Sequence, residues 1–382
     1  MPKPSRAGFA RLRDRFFRIK WLVVLIVTAV LLFFGRTTDI RSLTQSALVI
    51  GLGIDRTETG FAVSTLSVIV SGSAGGDNTD SYAVYSAEGA TISEGLDKIA
   101  QKMGLLVSLS HCNVLVLSED AFSAEHTLLF KPLVTAYSLP EQAVVTATQS
   151  PPSDVLAART GTTVASAYFV QASLLQNLGG DGLALVTVKD FLARSLSRSG
   201  CVNIPLIDIE EMPTQPGSEQ GEAEGVAELF MNRNLVVSRD GCFVMDEDLA
   251  QALTMLTRSK VRGRLSVSLP GGGAAELRVI NASPKLQAEG MSVKASLDVS
   301  VSFIEVQGAH TSSALMRETE KAAAAELERR VLACHALSLS TGADILGLEN
   351  EVYKKAGYRL PENCLADISF SCSVTVTVKE SG

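Results

Sequence analysis

The chain has 382 residues, 46% apolar and 20% charged, which fits about two or three globular domains and excludes a disordered, collagen-like or many-span membrane chain. The formal net charge of −7 is unevenly placed: Lys3, Arg6, Arg11, Arg13, Arg15, Arg18 and Lys20 face only Asp14 in the first 20 residues, leaving +6 there and −13 on the remainder. An acidic folded part argues against nucleic acid as a partner, because phosphate backbones recruit basic surface.

Residues 1–20 read as a basic cytoplasmic segment. Next come Trp21, Leu22, Val23, Val24, Leu25, Ile26, Val27, Thr28, Ala29, Val30, Leu31, Leu32, Phe33 and Phe34, an uncharged run that we read as a transmembrane anchor (21–34). Fourteen residues rise about 21 Å as a helix, short of a ~30 Å hydrocarbon core. Phe16, Phe17 and Ile19 lengthen the run, and Arg18 and Lys20 reach the headgroups along their aliphatic stems. The basic flank comes first, so the N-terminus stays cytoplasmic and everything after Gly35 lies outside. A cleaved secretory signal has the same charge order, but Gly35-Arg36-Thr37-Thr38 offers no A-x-A-like site and the first cysteine is Cys112.

Ala47–Asp55 and Phe61–Val70 read as strands joined by the polar turn Arg56–Gly60, and Ser71–Ser81 as a loop before a short strand at Tyr82–Ala87. Thr91–Met103 is an amphipathic helix with Ile92, Leu96, Ile99 and Met103 on one face and Gly104 as its stop. Val107–Leu117 is a strand whose apolar end marks it as central, Leu128–Tyr137 a helix, and Ala143–Gln149 a strand. Pro151-Pro152 starts a helix toward Arg159, and Ala165–Leu178 and Thr187–Ser197 follow as helices. This order is α+β, and we assign it to a domain at 38–208. Residues 209–225 form an acidic linker with Pro and Gly, within a stretch from Asp208 to Glu228 that holds seven acids and no Lys or Arg.

A second α+β domain occupies 226–380. It opens with a hairpin (Ala227–Phe230, Leu235–Ser238) and a helix at Glu247–Thr257, followed by strands at Arg264–Leu269, Glu276–Ala282 and Ser292–Glu305. Val293, Ala295, Leu297, Val299, Val301 and Phe303 alternate with polar residues, the pattern of a sheet wet on one side. A long helix, about 311–338, carries a stripe of Met316, Ala323, Leu327, Val331, Cys334 and Ser338 that would pack on that sheet. A helix at Asp344–Lys355 and a strand at Ala366–Lys379 close the chain. The expected fold class is therefore α+β, a single N-terminal transmembrane helix followed by a multi-domain ectodomain of mixed or antiparallel sheets packed with helices.

Chemistry-bearing motifs are scarce. Gly51-x-Gly53 lacks the rest of a phosphate-binding loop and sits in a strand, which points to close backbone packing. The four histidines form no H-E-x-x-H pair, and His111-Cys112 in one strand would point to opposite faces. Glu141, Glu349 and Glu351 are isolated and read as surface acids, and Lys354-Lys355 as complements to a helix C-terminus. Six cysteines are too few for a disulfide scaffold, and Cys364 and Cys372 are too far apart along one strand to bond. We expect no catalytic, cofactor-binding or metal-binding residues and no enzyme activity.

The segments Ala47–Asp55 (ALVIGLGID), Ser86–Ala100 (SAEGATISEGLDKIA), Leu109–Ala121 (LSHCNVLVLSEDA), Ala227–Val237 (AELFMNRNLVV) and Gly342–Pro361 (GADILGLENEVYKKAGYRLP) together resemble the spore germination protein C family, the GerAC-like or Ger(x)C subunits of germinant receptors. The resemblance implies a non-enzymatic accessory subunit facing outward on the spore inner membrane, beside multi-span A and B subunits, in nutrient-triggered germination. Such proteins are usually lipoproteins; here Gly35-Arg36 stands where Gly-Cys would be, so either the apolar helix replaces the lipid or the chain is a divergent paralogue outside the standard receptor. Two alternatives are a tethered solute-binding protein, with its ligand between the domains, and a cell-envelope hydrolase using paired carboxylates.

Overall fold

The computed structural model describes residues 20–21, 23–30, 46–69, 81–122, 126–158, 165–176, 182–211, 227–258, 261, 263–269, 272–307, 312–356, 360–361 and 363–379. Residues 1–46 and 47–382 form separate units. In the first, the described residues from 20 to 30 are helical and exposed.

The second unit is mixed α+β. Its larger sheet comprises β1 (Ser46–Thr57), β2 (Gly60–Ile69), β3 (Ser81–Gly89), β4 (Leu106–Ser108), β5 (Val114–Ser118), β6 (Val144–Thr148), β7 (Val202–Glu211), β8 (Ala227–Val237) and β9 (Cys242–Met245). The strand order is β3-β2-β1-β5-β6-β7-β8-β9, with β4 also paired to β1. β1, β5, β6 and β7 run parallel at the centre, and the flanking pairs are antiparallel.

Every residue of β5 and β6 is buried, as their continuous apolar runs require once helices cover both faces. On one face, α1 (Ile92–Met103) sets Leu96 and Ile99 against Val49, Leu115 and Val145, near Phe130 of α2 (His126–Thr135) and Phe191 of α5 (Val188–Ser195). On the other, α3 (Pro152–Ala157) and α4 (Ser166–Gln176) cover Ile50, Val114, Val116 and Ile207.

The smaller sheet has the order β10 (Gly263–Ser268), β11 (Ala274–Glu289), β12 (Ser292–Val306) and β13 (Ser369–Val378), with only the β12–β13 pair parallel. Val293, Ala295, Leu297, Val299 and Val301 are buried along β12 as the alternation predicts. They share a core with α6 (Glu247–Thr257), α7 (Ser313–Thr341) and α8 (Leu348–Ala356). On α7 the buried stripe is Leu315, Thr319, Ala323, Leu327, Val331, Cys334 and Ser338, with Met316 only half-buried. Arg330 is also buried there, and its guanidinium meets Asp248 Oδ1 at 2.9 Å, Glu326 Oε1 at 2.7 Å and Gln251 Oε1 at 2.9 Å, which ties α7 to α6.

Three segments differ from their sequence-based expectations. The strand expected over Val107–Leu117 is broken: Leu109 and Cys112 both turn inward, Cys112 N–H donates to the Leu109 carbonyl, and β5 starts only at Val114. β7 runs through Glu211 into the expected linker, where Glu210 pairs with Glu228; residues 212–226 lie outside the described set. β8 and β9, which follow that stretch, complete the larger sheet. α8 begins at Leu348 rather than Asp344, because Gly347 takes a left-handed φ of 72° and interrupts the helical path.

Gly51 and Gly53 serve backbone packing. A Cβ on Gly51 would lie 2.9 Å from Leu156 Cδ2, and one on Gly53 would lie 2.8 Å from Pro152 Cβ. The absence of side chains at these two points is what lets α3 lie on β1. Gly53→Ala should therefore destabilise the full chain by about 1–3 kcal/mol in urea unfolding, the cost of overpacking a dense core; an unchanged midpoint would contradict this packing.

Candidate functional site

Among the described residues of the second unit few titratable groups are buried, and several gather where the turn from α5 into β7 meets the start of α8. Thr187 and Asp190 close a reciprocal cap at the N-terminus of α5, which fixes the helix and so the turn that leaves it. At the facing segment, α7 ends at Gly342 in a left-handed conformation and the chain folds back through Asp344.

Asp344 is buried, at 3% exposure. Its Oδ1 accepts the Leu348 amide at 2.8 Å, and its Oδ2 accepts the Glu349 amide at 2.8 Å and the Ser199 hydroxyl at 2.5 Å. One carboxylate thus satisfies two orphan amides at the N-terminus of α8 and holds the opposite turn. Burial pushes its carboxyl above the usual carboxylate range, against the pull of those hydrogen bonds.

Beside it, Asn350 Oδ1 accepts the Ser199 amide at 3.2 Å, and Asn350 Nδ2 donates to Ser197 Oγ at 3.3 Å. Arg198 Nε lies 3.9 Å from Glu349 Oε2, and the Arg198 guanidinium donates to the Pro361 carbonyl. A cavity of about 700 Å³ opens along this seam, lined by Arg194, Leu196, Arg198, Leu286, Tyr353 and Lys354 among others.

The predicted functional residues fall elsewhere. Trp21 and Val23 to Val30 of the expected anchor are helical and exposed, whereas Leu22 and Leu31 to Phe34 lie outside the described residues. Among the described residues, no helix is long and apolar enough to cross a membrane. His111 is exposed in the turn before β5, and Cys112 is buried, its thiol pushed up to about 12 by burial. The Cys334 thiol is likewise pushed up to about 12 by burial, and its neighbour His335 stacks on Phe370 with ring centres 4.8 Å apart. Glu351 pairs with Lys354 at 2.5 Å on the α8 surface. Glu349, expected on the surface, is buried, with Arg198 Nε 3.9 Å from its Oε2. The described cysteines are free.

Sequence reasoning missed Asp344, Ser199, Arg198, Asn350 and Arg194. The signal for Asp344 was an acid just before a helix start, obscured by the Gly347 kink.

Removing the Asp344 carboxylate should leave two helix amides and Ser199 without their acceptor. Asp344→Ala should cost about 1–3 kcal/mol in urea unfolding of the full chain. The folded-state pKa is raised from 3.8, so in the window above that value the native state holds a proton that the unfolded state has released. Stability should therefore fall as pH rises through the raised value, and Asp344→Asn, which mimics the protonated form, should flatten that slope. An equally steep slope in the variant would contradict the assignment.

The comparisons with known proteins agree with this architecture. A family model described as the spore germination protein N-terminal domain matches residues 39–209, and one described as spore germination B3/GerAC like, C-terminal, matches residues 240–382. No curated protein matches the chain. A solved structure, the crystal structure of the GerBC protein, shares the fold at 13% identity and a TM-score of 0.50, covering 89% of this chain and 99% of that one. With both halves matched, the chain belongs to the GerAC-like family of spore germination proteins, the C subunits of germinant receptors.

Proposed function

We propose that this chain is a non-enzymatic accessory subunit of a nutrient germinant receptor, held in the spore inner membrane by one N-terminal span and working beside multi-span A and B subunits. The observation that carries the reading is the family match over both halves of the acidic part. The anchor rests on sequence and exposure together. From Trp21 to Phe34 no residue is charged, and the described helical part turns large apolar side chains outward, with Trp21 65% and Leu25 70% exposed. Apolar surface of that extent is costly in water and favourable in lipid. The seven basic residues before it retain the N-terminus on the cytoplasmic side, which puts the acidic part outside.

The non-enzymatic reading has a physical basis at the seam. Asp344 is committed to three hydrogen bonds and Glu349 to Arg198. The buried thiols are held in the protonated, unreactive form. The work left to such a molecule is to present surfaces, and a membrane tether raises its effective concentration near partners in the same bilayer.

Deleting Trp21–Phe34 should move the protein from the membrane pellet to the soluble fraction of broken spores; a deletion variant that still pellets would refute the anchor. Affinity purification from detergent-solubilised spore membranes should bring multi-span subunits with the intact chain, and its repeated recovery alone would refute the accessory role.

A further inference from the structure

Among the described residues, the seam contains one positive charge that its own hydrogen bonding does not account for. Of the charged groups lining the cavity, Asp344 is taken up by Ser199 and two amides, Glu351 by Lys354, and Arg198 by Glu349 and the Pro361 carbonyl. Arg194, in the last turn of α5, is half-buried, and among the described residues its guanidinium has no hydrogen-bond or ion-pair partner.

A second guanidinium aggravates the imbalance. Arg258, at the end of α6, is half-buried and donates to the Leu185 carbonyl, without a carboxylate in contact among the described residues. Burial and the charge of Arg194 pull its pKa below the ordinary value, and Asp190 offsets this only in part. Two partly desolvated like charges are unfavourable unless an anion lies between or beside them.

The cavity is suited to such an anion. Its volume of about 700 Å³ falls within the range of small-ligand sites, on the order of 300–1,000 Å³. Leu196, Leu256, Leu286 and Tyr353 supply apolar wall, so the occupant has carbon as well as charge. A guanidinium presents a planar fork of donors that matches two oxygens of a carboxylate or phosphate.

We infer that the cavity between the α5–β7 turn and α8 is a binding site for a small organic anion, a carboxylate or a phosphate ester, with Arg194 as its charged anchor. This goes beyond the accessory-subunit reading and does not depend on it: a tethered subunit without ligand would leave the fractionation result intact.

The test is titration calorimetry on the full-length chain in detergent micelles at fixed ionic strength, with chloride as the balancing anion. Succinate probes the carboxylate class, glucose 6-phosphate the phosphate ester, and inorganic phosphate the bare ion. Saturable one-site binding of succinate or glucose 6-phosphate is expected, weakened about tenfold or more in Arg194→Gln, as for loss of a charge-assisted pair. Arg194→Lys should recover part of the affinity, and Arg278→Gln, on the exposed side of β11, should leave it unchanged. No saturable binding of either organic probe, or equal affinity in Arg194→Gln, would overturn the assignment. A second measurement needs no variant: the bound probe should protect Arg194 from phenylglyoxal, read by peptide mass, and equal modification with and without probe would also overturn it.

Discussion

Burying both faces of four parallel strands is the constraint from which most of this structure follows. A parallel strand reached from its neighbour requires a crossover, and helices placed on both sides leave no wet face to the centre of the sheet. β5 and β6 meet that demand with runs of apolar and small residues, all buried. The same demand brings α3 so close to β1 that Gly51 and Gly53 leave no room for a Cβ. It also fixes where α5 ends, because β7 must enter the sheet beside β6. The turn between α5 and β7 is therefore positioned by the core, and the polar groups on that turn face whatever packs against them.

What packs against them is the start of α8. The interactions there include desolvated charges, whose attraction is offset by the cost of removing them from water, so their net contribution to stability is small. Their geometric effect is larger. Asp344 satisfies amides of α8 and the Ser199 hydroxyl at once, and Asn350 both donates to and accepts from the turn. Slipping α8 by one residue would orphan several buried donors together, each costing about 1–3 kcal/mol. The seam therefore sets the relation of α8 to the first sheet more than it adds to stability, and the cavity beside it is a consequence of that fixed relation.

The elements legible in the sequence were those with a strong period. α1, α7 and β12 each have a single apolar face, and their buried residues follow it closely. Elements whose limits depend on tertiary partners were less legible. Val107–Leu117 reads as one strand because the alternation of Val107, Ser108, Leu109 and Ser110 leads into the apolar run Val114–Leu117; the break becomes visible only when Leu109 and Cys112 are seen to share the core. The acids near Asp208 read as linker, yet β7 continues to Glu211 because β8 supplies a pairing edge. The seam was the least legible part. Glu349 and Arg198 are 151 positions apart, and nothing local marks either as buried. That Arg194 has no hydrogen-bond or ion-pair partner among the described residues is a property of the tertiary structure, and no pattern of residues along the chain records it.

The seam and the cavity together give the molecule a physical route for coupling. Arg194 belongs to α5, which lies on the larger sheet, while Tyr353 and Lys354 belong to α8, whose residues pack against the smaller one. An anion held by Arg194 within that cavity would touch both sides, so its binding free energy would add to the interactions that already join them. By mass action, a ligand present at one hundred times its dissociation constant favours the bound arrangement by about 2.7 kcal/mol, comparable to the cost of losing the Asp344 contacts. Occupancy would then act on the rigidity of the junction between the two sheets, with little demand on the cores beneath them. For the accessory role proposed above, the junction is where a small energy has the greatest leverage on the shape of the surfaces presented.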